Sequence, residues 1–556
     1  LIAGGGAAGL RAAAAALECG ARVMLCSKKQ PGSGGSTFLY PGGSIGMNAI
    51  THPETGDSPE IFYREILSAG QGALKKELAE ILAERCTDEF RALEAQGVRF
   101  RRNADGSYRS VVPCFGRLLR GANADVADYR RALLRGAQGA EVLAGTSVLS
   151  LVVQDGVCCG AVAEDVGGRL LLLRAGAVIF ATGGGADLLD FAESSCDLSA
   201  DGCAMAYLAG VPLVNLEFIQ FAPAIVHPLA LASFWPKALA SLFTLTNGRK
   251  EAFLERYLPP GISMEQGLFA RTHDDPFSAS NEGRFFDVAL FEEWRAGRAC
   301  AHGGLRIRFS REGLARNPYP FTSAWAQGLE RSGADIFGAG CEILPSAFAC
   351  NGGILTGTEA ETALPGLYAA GEAAGGMHGA DRLGGNAMAA TQVFGGVAGT
   401  AAAAFARRNP SAAQPEAALQ LLEQALTGGG GTLRPEELTH AVRSILYKCG
   451  SLGRTQLRCA EGLALLKRMR ARVNPAAALY EGRRVQPAAS AWHRLLMAIN
   501  MLSTMQARRE SRGAHYRVDC PQRLPCYHGY FLVRRNEGGP ELEFVPTQET
   551  ELEKGD

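Results

Sequence analysis

No C-x-x-C pair occurs in the 556 residues, although 15 cysteines are present. Their odd number and scattered spacing exclude a disulfide framework and argue against an iron–sulfur or zinc site within this chain, so no metal is expected. Reduced thiols, mostly buried, point to a cytoplasmic protein, and the adjacent Cys158–Cys159 reads as part of a strand. Net charge is lacking as well. Lysine plus arginine is 56 and aspartate plus glutamate is 56, which excludes a nucleic-acid partner, whose phosphates reward a basic excess. Charged residues are only 20% against 47% hydrophobic, a balance that rules out disorder over most of the chain.

Long apolar runs of membrane-spanning quality are missing too. The stretch 387–406 carries no charge, and 218–235 is nearly as apolar. The first is built of Ala, Gly and Thr, which insert poorly, and Pro223 and Pro228 break the second. Both read as buried elements, and no transmembrane segment is expected. No signal peptide and no internal repeat is visible. The chain opens at Leu1 without a Met, and a few residues of a first strand are expected to precede it.

Glycine is plentiful: 69 residues, about twice the usual share of roughly 7%. The first of them explain themselves. Leu1-Ile2-Ala3 reads as a strand end, Gly4-x-Gly6-x-x-Gly9 follows, and Leu10 to Cys19 reads as an Ala-rich helix that stops at Gly20 before a second strand, Arg22 to Cys26. This is the context of a dinucleotide fingerprint. Gly4 permits the turn, Gly6 lets backbone approach a diphosphate, Gly9 lets helix and strand pack closely, and Ala7 and Ala8 start the helix whose N-terminus faces the phosphates. The second strand lacks the acid that grips a nicotinamide dinucleotide's ribose. It ends Cys26-Ser27-Lys28 instead.

At roughly 150 residues per domain the length predicts three to four domains. A small-residue loop, 29–46, contains Ser36-Thr37 and Gly42-Gly43. Helices follow over 58–96. Short strands at 141–144, 147–154, 157–164 and 169–174 read as an inserted meander, and a buried strand then runs into Ala181-Thr182-Gly183. From Asn215 to Leu344 the texture changes, with more aromatics, prolines and charges. The nucleotide-domain texture returns by Gly371-Glu372. The predicted division is a cofactor domain over 1–214 and 345–408, a capping domain over 215–344, helices over 409–510 and a polar tail over 511–556.

These pieces together resemble the flavoprotein subunits of succinate dehydrogenase and fumarate reductase, and L-aspartate oxidase. The resemblance covers nearly the whole length, in order. It rests on the opening fingerprint, the Ser27-Lys28 and Ser36-Thr37 loop, Asp201-Gly202 with Met205-Ala206, and Glu217-Phe218-Ile219-Gln220-Phe221. It rests also on Gly371-Glu372, the run Gly379 to Ala387 around Arg382, and Arg509-Glu510-Ser511-Arg512-Gly513-Ala514-His515-Tyr516-Arg517. It implies an α/β fold: a Rossmann-like FAD-binding domain, an inserted α+β capping domain and a C-terminal helical domain. FAD would touch the fingerprint residues, the Ser27-Lys28 and Ser36-Thr37 positions, Gly42, Gly43, Val148, Ala181 to Gly183, and Asp201. Glu372 would hold a ribityl or ribose hydroxyl. Asn386-Ala387-Met388 would present a helix N-terminus to the flavin's pyrimidine edge and stabilise negative charge there.

The departures bear on chemistry. Ser36 stands where covalent members carry the histidine that tethers FAD, so FAD is expected to be noncovalent. Ala222, Leu239 and Phe348 align with two substrate-binding histidines and a proton-donating arginine. Of the carboxylate clamp Arg382 remains, suited to one anion through a bidentate pair, with His378 and Lys237 as candidate proton carriers. The expected function is an FAD-dependent oxidoreductase performing C–C dehydrogenation or C=C reduction on a small substrate less polar than a C4 dicarboxylate. The alternatives are fumarate reductase, succinate dehydrogenase or aspartate oxidase proper, and a flavin-binding electron-transfer subunit without substrate chemistry. An electron-transfer partner, an iron–sulfur protein or another donor or acceptor, is compatible with each.

Overall fold

The computed structural model describes residues 1–39, 43–193, 195, 197–273, 276–319, 321–431 and 434–549. Its organising layer is a five-stranded parallel sheet in the order Leu367–Ala369, Val178–Phe180, Ile2–Ala3, Met24–Ser27, Glu141–Ala144. Strands buried on both faces need continuous apolar runs, and Val178-Ile179-Phe180 supplies one. Glu141–Ala144 is an edge strand of this sheet, which corrects its assignment to the meander. The meander has three antiparallel strands, Ser147–Gln154, Val157–Glu164 and Leu170–Arg174. Periodicity identifies a strand but not the sheet it joins.

The first helix, Ala7–Glu18, lies against the helix Asn386–Arg408, and small residues set the distance between them. A Cβ on Gly395 would meet the Ala8 carbonyl oxygen at 2.8 Å, and one on Gly399 would overlap that of Ala12. Asn386–Arg408 is long and apolar enough to cross a membrane, yet 67% of its apolar window is buried inside the protein. It is the one helix among the described residues that passes this test. The other apolar stretch forms the cap strand Ile219–His227 and its neighbour Ala232–Ser233.

The cap is a mixed unit around an antiparallel sheet, ordered Ala232–Ser233, Ile219–His227, Cys341–Cys350, Leu305–Phe309, Phe243–Thr246. The boundary expected after Leu344 falls inside Cys341–Cys350, which carries the chain from the cap back to the nucleotide domain. A four-helix group follows, Pro415–Leu426, Pro435–Gly450, Gln456–Arg470 and Val485–Ala507. The expected tail is more than a tail. Its hairpin, Gly529–Asn536 with Gly539–Pro546, extends a sheet begun by Leu213–Val214 and Gly353–Leu355.

Buried ion pairs lock this last segment in place. Arg508 Nε donates to Glu217 Oε1 at 2.7 Å and its Nη1 to Glu510 Oε1 at 2.8 Å, while Arg512 Nε donates to Glu510 Oε1 at 2.6 Å. All four side chains are fully buried. Arg454 Nη1 donates to the Glu217 carbonyl at 2.7 Å. Removing one partner from such a network strands the other charges. Arg508→Ala should therefore destabilise the fold by about 3–5 kcal/mol, seen as a clearly lowered midpoint in thermal or urea denaturation of the FAD-loaded protein. A midpoint within error of the parent would refute this role.

Candidate functional site

One large cavity, about 470 Å³, opens where the first helix, the Asn386–Arg408 helix and the cap strand Ile219–His227 converge. At its nucleotide end Gly4 holds φ 122°, a conformation favouring glycine. A Cβ on Gly9 would run into the Gly4 carbonyl oxygen, whereas one on Gly6 would meet nothing and project into open space. This is the pattern the fingerprint requires: Gly9 packs helix on strand and Gly6 leaves room for a diphosphate. Ala7 and Ala8 line the cavity beside it, as do Ser27, Lys28, Val148, Ala181, Thr182 and Gly183.

Lys28 takes the place of the missing acid and is itself held by one. Its Nζ donates to Asp201 Oδ2 at 2.5 Å and to Ser199 Oγ at 3.0 Å. Burial alone would raise the Asp201 carboxyl, but the Lys28 ammonium and a hydrogen bond with His493 keep it well below the usual carboxylate range. His493 and Ser490, on the Val485–Ala507 helix, escaped the sequence reading because nothing in helical periodicity marks a residue that supports another.

Ser36 and Thr37 line the cavity on a short turn, Gly35–Phe38. Gly42 lies outside the described residues. Gly43 is not on the wall; its carbonyl accepts the Val126 amide. Farther in, Gly385 at φ 83° starts the Asn386–Arg408 helix, and Ala387 and Met388 face the cavity. Asn386 is off the wall, its side chain accepting from Asn48 Nδ2 at 2.7 Å. The Glu372 carboxylate lines the cavity and accepts the Cys350 amide at 2.9 Å. Burial raises its pKa, offset in part by that bond and by the charge of Arg382.

The substrate end is built differently. Arg382 and His378 reach it from the 378–384 loop. Ala222, Phe234, Trp235 and Phe348 are apolar members of the lining, and Glu193, which accepts from Ser233 Oγ at 2.6 Å, also lines it. Arg382 Nε donates to Gln220 Oε1 at 3.1 Å and its Nη1 to the Leu383 carbonyl at 3.2 Å, with the Phe348 ring centroid 6.0 Å from the guanidinium carbon. Glu217, the nearby acid of the same strand region, is held by Arg508 instead. Burial and the neighbouring Arg382 push the His378 pKa down to about 3, which keeps the ring neutral near pH 7.

Two sequence expectations land elsewhere. Lys237 sits on the turn Pro236–Ala240, its ammonium 5.6 Å from the Trp235 ring centroid and 5.1 Å from that of Tyr319, behind the wall. Leu239 is buried in the cap and does not line the cavity. Trp235 and Phe234 went unrecognised, although they stand beside Lys237 in sequence.

The arrangement fits FAD. The glycine cradle faces the phosphate position, and Thr182 Oγ1 and Ser44 Oγ, both on the wall, lack partners among the described residues. No cluster of potential metal ligands occurs among those residues. Because Ser36 cannot form a histidyl link, acid precipitation of the yellow protein should leave the flavin in the supernatant and the pellet colourless. A pellet that stays yellow after washing contradicts noncovalent binding.

Comparison with known proteins agrees with this geometry. Residues 1–388 match the family described as FAD binding domain, and residues 440–555 match that described as fumarate reductase flavoprotein C-term. The chain is 27% identical over 562 residues to one subunit of the fumarate reductase (CoM/CoB) of Methanothermobacter marburgensis, covering 96% of each. It is 28% identical to the L-aspartate oxidase of Caulobacter vibrioides, covering 94% of each. In three dimensions it is similar to a point mutant of the E. coli quinol fumarate reductase flavoprotein FrdA. The TM-score is 0.79 at 25% identity, with 99% of this chain and 96% of that one covered. With the fingerprint, the capped cavity and the C-terminal segment all matched, the chain belongs to the FAD-binding oxidoreductases of the fumarate reductase flavoprotein family, enzymes that act on CH–CH and C=C groups.

Proposed function

We propose that this oxidoreductase acts on a substrate less polar than a C4 dicarboxylate, carrying one carboxylate for Arg382. Bound FAD supplies hydride transfer to or from a carbon next to an activating group. The chain's own part is positional. Arg382, oriented by Gln220, takes the carboxylate; Ala222, Phe234, Trp235 and Phe348 exclude water from the rest of the substrate. Gly4, Gly6, Gly9 and Glu372 hold the cofactor away from that end, and the N-terminus of the Asn386–Arg408 helix places a positive field beside the flavin. The observation that carries the reading is Ala222 and Phe348 lining the cavity beside Arg382. The electrons enter or leave through a partner, an iron–sulfur protein or another donor or acceptor, in keeping with the Methanothermobacter relative being one subunit of its enzyme.

Arg382→Ala should abolish turnover, by about a hundredfold or more for a lost charge-assisted pair of roughly 3 kcal/mol, while FAD stays bound at parental stoichiometry. Loss of FAD from this variant would show that Arg382 serves the cofactor instead.

The names of the relatives favour a second reading, the family's fumarate, succinate or aspartate chemistry. Physical chemistry weighs against it. A C4 dicarboxylate brings a second charge against an apolar wall, and desolvating an ion without partners costs several kcal/mol, where about 1.4 kcal/mol is already tenfold. Steady-state assays with reduced viologen and fumarate, and with succinate or L-aspartate plus a dye acceptor, should give negligible rates. Turnover of tens per second with any of them would establish the second reading.

A further inference from the structure

We infer that His378 is a substrate-binding residue, a neutral imidazole whose Nε2–H donates to the same carboxylate that Arg382 holds. The inference rests on the reading of Arg382 as a carboxylate anchor and adds a second arm to it.

Three independent features point this way. The first is placement. His378 lies four residues before Arg382, both line the cavity, and His378 is only 8% exposed. The second is rigidity. The loop is pinned by backbone on two sides: the Ala380 and Asp381 amides donate to the carbonyls of Gly70 and Ala69, and the Ala380 carbonyl accepts the Ala514 amide. Asn351 Nδ2 donates to the Gly379 carbonyl at 3.1 Å. Backbone held in this way fixes where the ring is mounted, and such preorganisation favours a ligand contact.

The third feature is the ring itself. Its Nδ1 is buried with no hydrogen-bond partner among the described residues. A buried N–H without an acceptor is rarer and costlier than a buried lone pair without a donor, so the proton belongs on Nε2, on the ring edge left for the cavity. The charged group acting on the ring is Arg382, and with burial it keeps the ring uncharged over the physiological range. A neutral ring keeps one N–H, and that N–H is a suitable hydrogen-bond donor to a carboxylate. Beside a guanidinium this also avoids placing two cations together.

The test is a binding titration of the FAD-loaded protein, read by perturbation of the flavin absorbance, with 3-phenylpropanoate and succinate as probes. His378→Ala should weaken 3-phenylpropanoate about ten- to a hundredfold, the range for a hydrogen bond to a charged group. His378→Gln, which retains an N–H donor at similar reach, should recover most of this loss. Parental affinity should stay flat between pH 5.5 and 8, where the probe carboxylate remains ionised. Affinity that rises steeply below pH 6.5 in the parent, and not in His378→Ala, would mean that the ring binds as a cation and would overturn the inference. So would equal binding by parent and His378→Ala. In that last case the substrate reading survives. If succinate binds as tightly as 3-phenylpropanoate and both weaken in His378→Ala, the substrate reading fails and the role of His378 stands. If neither probe perturbs the parental flavin, both fall.

Discussion

Glu217 accepts an arginine in an interior without water, and much of the molecule hangs on that contact. Its carboxylate takes Arg508 from the C-terminal segment, and its carbonyl takes Arg454 from the helical domain. Three residues on, Gln220 receives Arg382 at the cavity. Four parts of the chain that are distant in sequence thus meet within a few residues of backbone. Arginine suits this task as lysine would not, because a planar fork of five donors can serve a carboxylate and several carbonyls at once. Arg508 does so, reaching Glu217, Glu510 and the carbonyls of Tyr527 and Gly529. The C-terminal segment is therefore part of the scaffold behind the substrate end.

A second constraint is the close contact of two helices. Ala7–Glu18 and Asn386–Arg408 approach through Gly395 and Gly399, and each begins at the cavity. Small residues that look idle in composition thereby bring two helix N-termini to one ligand. On the proposed placement of FAD, the partial positive charge at each end would meet a different part of it, diphosphate in one case and flavin in the other. The third positive group, Lys28, is neutralised by Asp201, which His493 and Ser490 support from the helical domain.

What could be read from the sequence divides along physical lines. Glycines whose φ or close approach is obligatory, such as Gly4 and Gly9, were legible, because no other residue could stand there. Arg382 was legible from its motif, and Ser36 from the residue it replaces. The membership of Glu141–Ala144 in the parallel sheet was not, since alternation describes a strand and not its neighbour. Short strands were expected in the tail, but not the sheet that the hairpin Gly529–Asn536 with Gly539–Pro546 joins, since its partner Leu213–Val214 lies far earlier in the chain. Lys237 and Leu239 were weighed by alignment alone. A turn of 3-10 helix turns them behind the wall and leaves Trp235 in front.

The electrostatics of the substrate end follow from these placements. Arg382 donates to the Gln220 side-chain carbonyl and the Leu383 backbone carbonyl, and those two hydrogen bonds orient the charged guanidinium. Glu372 offsets part of that charge from the cofactor side. His378 stays neutral because burial and the neighbouring Arg382 cation both disfavour a charged ring. Ala222, Phe234, Trp235 and Phe348 add no ionisable group to the lining, in which Glu193 is bonded to Ser233. On the reading proposed above, Arg382 set among these apolar side chains suits a ligand with one anionic end and an apolar remainder. A second carboxylate gains nothing there and still loses its water.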